Sequence, residues 1–203
     1  MSETTKKTNY LTDAWLVILL ALLYGLALAG VHAGLSGRIA HNQQAEAFAA
    51  VPRLIPGADG DRTEVEIRLY DGREWNVMRA FSAEGELVGW VMPMAGQGYA
   101  DRIEVLVGMN ADLTTLEGIW VLDQKETPGL GDYITADYFR ERFEGKSSDL
   151  TLTVVKGEAQ RPQDIQALTG ATVSSESVTR IVNRAMETLK GIVAAAADGP
   201  DAM

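Results

Sequence analysis

The chain has 203 residues, 18 of them Lys or Arg and 28 Asp or Glu, for a formal charge of −10, and 46% are hydrophobic. That length suits one domain plus an appendage, and the acidic balance argues against nucleic acid, whose binders cluster Lys and Arg against phosphates. The chain has no cysteine, which excludes disulfides, a thiol nucleophile, thiolate zinc sites, Cys-ligated iron–sulfur clusters and CxxCH haem.

From Ala14 to Gly37 no Asp, Glu, Lys or Arg occurs. A helix of that length is about 36 Å long and spans a hydrocarbon core of about 30 Å. Tyr10, Trp15 and Tyr24 include candidate interfacial aromatics. Lys6 and Lys7 precede the run and Arg38 follows it, a small bias towards a cytoplasmic N-terminus. A cleaved signal peptide is the competing reading, since Ala27-Leu28-Ala29 before Gly30 meets the small-residue cleavage rule. The length of the run favours a retained anchor. Its apolar character on every face argues against a buried helix of a soluble domain, which carries one stripe. The expected organisation is a cytoplasmic N-terminus over 1–13, a transmembrane anchor over 14–37, a helical linker over 38–60, one domain over 61–197 and a flexible tail over 198–203.

His41 to Ala50 reads as a helix ended by Pro52 and Pro56-Gly57. Strand-like stretches follow. Glu64 to Tyr70 alternates cleanly and runs into the turn Asp71-Gly72, and Trp75 to Phe81, Leu87 to Met94, Arg102 to Met109 and Leu116 to Leu122 come after it. The last element is a helix from about Ser175 to Ala197. Val178, Ile181, Val182, Ala185, Met186, Leu189, Ile192, Val193 and Ala196 form one core-facing stripe on it. The fold class expected is α+β: an N-terminal transmembrane helix, then one domain with a curved antiparallel sheet of about five strands and flanking helices.

Two segments carry chemical information. In Glu126-Thr127-Pro128-Gly129-Leu130-Gly131, directly after a strand, Pro128-Gly129 suits the centre of a type II turn and Gly131 permits a close approach. By spacing alone the segment is a turn, and it does not fit a P-loop. In Leu168-Thr169-Gly170-Ala171-Thr172-Val173-Ser174-Ser175, small residues and hydroxyls precede the last helix. The segment reads either as routine capping by Thr172, Ser174 or Ser175 or as an anion site at a helix N-terminus. Trp75, Trp90, Trp120, Met92, Met94 and Met109 read as packing residues, as does Tyr99, and the scattered acids as a solvated surface without a metal site.

The order Gly98-Tyr99, Ile103 to Gly108, Glu126-Thr127-Pro128-Gly129-Leu130-Gly131 and Thr169-Gly170-Ala171-Thr172 resembles the FMN-binding domain of Rnf and Nqr complexes, most of all the G subunit of the Rnf electron-transport complex. The resemblance implies FMN attached to Thr172 through a phosphodiester bond made by a flavin transferase. Thr169, Gly170 and Ala171 would surround the attachment point. Glu126 and Thr127 would serve as polar contacts and Leu130 as an apolar one, with Gly129 and Gly131 shaping the loop. The sequence departs from the family's frequent pattern in having Gln166, with Asp164 two residues earlier, where an Asp often precedes the attachment motif. It also has Gln124 where a His often precedes the Glu.

The implied function is a membrane-anchored subunit that carries electrons in an ion-translocating oxidoreductase, with no turnover of its own. It would sit in the inner membrane with its flavin on the extracytoplasmic side, beside the other subunits of the complex. The equivalent subunit of a sodium-pumping NADH:quinone reductase and an extracytoplasmic flavin-binding sensor are the alternatives. A hydrolase using Thr172 as nucleophile needs a base, and the only histidines, His32 and His41, lie at the anchor.

Overall fold

The computed structural model describes residues 14–197. The expected cytoplasmic N-terminus with Lys6, Lys7 and Tyr10, and the expected tail after residue 197, lie outside the described residues. The chain divides into two compact units, Met1–Gln44 and Ala45–Met203.

The first unit contributes most of helix α1 (Trp15–Leu54). Its segment Trp15–Arg38 is long and apolar enough to cross a membrane, and none of it is buried. The helix expected over 41–50 is therefore not a separate element. Pro52, expected to end it, lies within α1. A proline so near a C-terminus forfeits one backbone bond. That loss is offset because Val51, Leu54 and Ile55 are buried and Ile55 N–H still reaches the Val51 carbonyl at 2.9 Å.

In the second unit, β1 (Asp59–Tyr70), β2 (Arg73–Phe81), β3 (Leu87–Gln97), β4 (Arg102–Asn110), β5 (Thr115–Asp123) and β6 (Lys146–Ser147) form an antiparallel sheet in chain order. Asp71 and Gly72 both have positive φ between β1 and β2, as the Asp-Gly pair predicts. The sheet has six strands rather than about five, because β6 is too short to show alternation. A separate parallel pair, β7 (Thr153–Val155) and β8 (Asp164–Gln166), was not expected from the sequence. Between β5 and β6 lie a 3-10 turn over Gly131–Thr135, the short helix α2 (Asp137–Arg140) and a second 3-10 turn over Glu141–Phe143.

Alternation along the strands fills two layers. Val105, Val107 and Met109 of β4 join Met92, Met94, Val121 and the stripe of helix α3 (Thr172–Ala197) in the larger core. Leu106, Met78 and Val91 point the other way, into a cluster with Ala47, Ala50, Val51, Leu54 and Ile55. There the strands offer glycines to the end of α1. A Cβ on Gly89 would lie 2.9 Å from Ile55, and one on Gly108 would lie 3.0 Å from Ile55 and 3.3 Å from Leu54. Met92, Met94 and Met109 are core residues, and Trp75 and Trp90 pack against the same core as expected. The indole of Trp75 donates to the Tyr70 carbonyl and that of Trp90 to the Ala111 carbonyl, both at 3.2 Å.

Candidate functional site

Three segments distant in sequence meet at the first turn of α3. The first is the loop that follows β5. Gly129 has φ +77 and Leu130 N–H donates to the Thr127 carbonyl at 3.2 Å, the type II geometry expected of Pro128-Gly129. The Thr127 carbonyl also takes Gly131 N–H at 3.0 Å, while the Thr127 side chain is exposed. Gly131 is buried. A Cβ there would lie 2.8 Å from Ser174 Oγ and 2.9 Å from Glu126 Cβ, so this loop closes on α3 only because the residue is glycine.

The second segment is Leu168–Ala171. Gly170 has φ +81, and a Cβ on it would lie 3.0 Å from Leu130 Cδ2, so the two loops touch. Thr169 and Gly170 are exposed, Ala171 is buried and Thr172 is half-buried. The helix begins at Thr172 rather than near Ser175. The reason is that the serine hydroxyls face inward and do not cap the helix. Ser175 Oγ accepts Leu168 N–H at 3.0 Å and donates to the Ala171 carbonyl at 3.0 Å. Ser174 Oγ donates to Glu126 Oε2 at 2.5 Å. Among the described residues, no side chain caps the N–H groups of Thr172, Val173 or Ser174, and no hydrogen bond engages the Thr172 hydroxyl.

The third segment is the turn after β3. Gly98 N–H donates to the Asp101 carbonyl at 2.8 Å, and Tyr99 and Ala100 donate their backbone N–H groups to Glu126 Oε1 at 3.0 and 3.1 Å. Glu126 itself is only 4% exposed. Its N–H donates to Gln124 Oε1 at 2.7 Å, which is the local role of the residue standing where the family often has His. Tyr99, expected to pack in the sheet, instead exposes its ring, because only its backbone is held. Sequence reasoning missed the parts played by Ser174 and by the backbone of Tyr99 and Ala100; the run of small hydroxylated residues was the available signal.

Asp164 and Gln166 lie on β8. Asp164 Oδ2 accepts the N–H groups of Gln160 and Arg161 at 3.2 and 3.0 Å, and Oδ1 accepts Arg161 Nε at 2.9 Å. The Arg161 guanidinium, helped by those backbone N–H groups, holds the Asp164 carboxyl below its ordinary range. The Gln166 carbonyl accepts a hydrogen bond from Arg142 Nη1.

The residues at α3 suit a flavin phosphate. The free N–H groups at the start of a 26-residue helix favour an anion, and Thr172 offers an unengaged hydroxyl beside them. Leu130 and Val173, 46% and 47% exposed, offer apolar surface to a ring system. Asp132 Oδ1, at the end of the β5 loop, is buried without a donor.

A family model described as FMN-binding domain matches residues 98–187, which contain all three segments. The chain is 32% identical over 140 residues to the G subunit of the Na(+)-translocating ferredoxin:NAD(+) oxidoreductase complex of Acetobacterium woodii, covering 68% of this chain and 67% of that protein. It is 30% identical over 188 residues to the G subunit of the ion-translocating oxidoreductase complex of Cereibacter sphaeroides, covering 89% and 84%. The fold is similar to the crystal structure of NqrC from Shewanella oneidensis, with a TM-score of 0.56, 24% identity and coverage of 62% of each chain. The free helix terminus, the two touching loops and these relatives agree, and the chain belongs to the family of FMN-binding G subunits of ion-translocating, Rnf-type oxidoreductase complexes.

Proposed function

We propose that the chain is a membrane-anchored electron-carrying subunit whose FMN is held covalently, through a phosphodiester, on Thr172. The observation that carries this reading is the half-buried Thr172 with its unengaged hydroxyl at the uncapped start of α3, against the Leu130–Gly170 contact. The α3 terminus favours the phosphate by a few tenths to ~1 kcal/mol. Thr169, Gly170 and Ala171 leave the hydroxyl open to a flavin transferase, and Thr127, Gly129 and Leu130 form the neighbouring wall. Bound there, FMN supplies one- and two-electron redox chemistry. The chain's own part is to hold the phosphate, orient the ring and prevent loss of the cofactor.

The long apolar segment Trp15–Arg38 supports an inner-membrane anchor. The flavin domain would then stand on the extracytoplasmic side, against the other subunits of the complex. The test is the intact mass of the wild type and of Thr172→Ala, each produced with a flavin transferase. The expected wild-type excess is one FMN less water, missing from the variant. An unmodified wild type beside a modified control substrate would refute the attachment.

A further inference from the structure

We propose that Glu126 is the positioning residue of this site, an inference that rests on the Thr172 attachment read above. The resemblance implies a polar contact to the flavin, but the carboxylate is turned away from solvent. It ties three chain segments together. Oε1 takes the Tyr99 and Ala100 N–H groups, Oε2 takes the Ser174 hydroxyl, and Gly98 and Gly131 are bare of side chains where they cross it. A Cβ on Gly98 would lie 2.4 Å from Oε1.

Among the described residues no cation pairs with this carboxylate. The neighbouring Lys125 pairs with Asp101 at 3.5 Å instead. Glu126 is thus a buried carboxyl held by neutral donors alone. Buried polar oxygens are tolerated only in such a cage of donors. The cage therefore fixes the geometry of what donates to it, including Ser174, which sits two residues beyond Thr172 in the same helical turn. Glu126 acts through that turn, holding the Thr172 hydroxyl where its oxygen forms the new P–O bond. The flavin-nucleotide donor loses its nucleoside monophosphate in that step, and the hydroxyl proton passes to the transferase.

The test is the rate of flavin transfer onto the purified full chain in detergent, read by intact mass at varied acceptor concentration. The acceptors are wild type, Ser174→Ala, Glu126→Ala, Glu126→Gln and Asn183→Ala. Asn183 makes two part-buried hydrogen bonds to Leu152, both at 2.9 Å, on a later turn of α3, and controls for plain destabilisation. The expected result is a fall in kcat of about tenfold for Ser174→Ala and more for Glu126→Ala, with KM little changed. Glu126→Gln, which keeps an acceptor for the turn and can donate to Ser174, should restore most of the rate, and Asn183→Ala should load like wild type.

Wild-type kcat in Ser174→Ala would overturn the proposal even if Glu126→Ala does not fold. So would an equal loss in Asn183→Ala. A wild type that takes no flavin while a control substrate does would overturn the Thr172 reading, and this inference with it.

Discussion

Ser175→Ala isolates the hydroxyl that closes the loop before α3. Ser175 is fully buried, and its Oγ is the acceptor for Leu168 N–H at 3.0 Å and a donor to the Ala171 carbonyl at 3.0 Å. The Ala171 carbonyl keeps a second donor, the Ser175 N–H at 3.0 Å, so that half of the loss is small. Leu168 N–H, beside a buried side chain, keeps nothing, and an orphaned buried donor costs about 1–3 kcal/mol. Alanine regains up to about 0.5 kcal/mol of helix propensity. The net expectation is a destabilisation of about 1.5 kcal/mol, or a fall in Tm of about 3–6 °C for a domain of this size. Urea unfolding followed by tryptophan fluorescence measures it as a lower midpoint at unchanged slope. A stability within about 0.3 kcal/mol of wild type would mean that the Leu168 amide does not depend on this hydroxyl, and the account of the loop would be wrong.

Two further outcomes follow from the packing and the charges. Ile55→Ala empties the contact between the end of α1 and the glycines of β3 and β4 and should cost about 3 kcal/mol by chemical denaturation; a cost under about 1 kcal/mol would show that the helix end is not held by that contact. The Asp164 carboxyl is held below its ordinary value of 3.8 by the Arg161 hydrogen bond, so its contribution is fully present above that pH and is lost as pH falls through the lowered value. The stability gap between wild type and Asp164→Asn should therefore be constant near neutrality and close below about pH 4; a gap unchanged down to pH 2 would contradict the pairing.

What the sequence made legible follows from length and period. The five long strands announce themselves because each sustains alternation, as Glu64 to Tyr70 does, and α3 because its stripe runs from Val178 to Ile192 without a break. β6 to β8 carry two or three residues each, too few for any period, and are held by partners such as Arg161 on Asp164 that no local pattern reveals. The type II turn at Pro128-Gly129 and the close approach at Gly131 were readable because both are properties of single residues. The role of Glu126 was not, because its partner Ser174 lies 48 residues further along the chain. Nothing within either segment says that they meet. For the same reason Ser174 and Ser175 look like ordinary caps until the core shows which way their hydroxyls face.

The bond between Glu126 and Ser174 also sets an order of events. Ribosomes deliver β3, then the β5 loop, and α3 last among the described elements. Until α3 docks, the Glu126 carboxyl that already holds the Tyr99 turn lacks its Ser174 donor, the strand face carrying Val105 and Val107 lacks its helix, and Thr172 is one hydroxyl on an unanchored segment. Long-range closure of this kind comes late in folding, since the loop entropy must be met before the contacts form. A chain truncated ahead of α3 would retain every strand of the sheet but lose Thr172 and Ser174, and with them the assembled site. Whatever recognises the three assembled segments thereby recognises a finished domain and passes over one still folding.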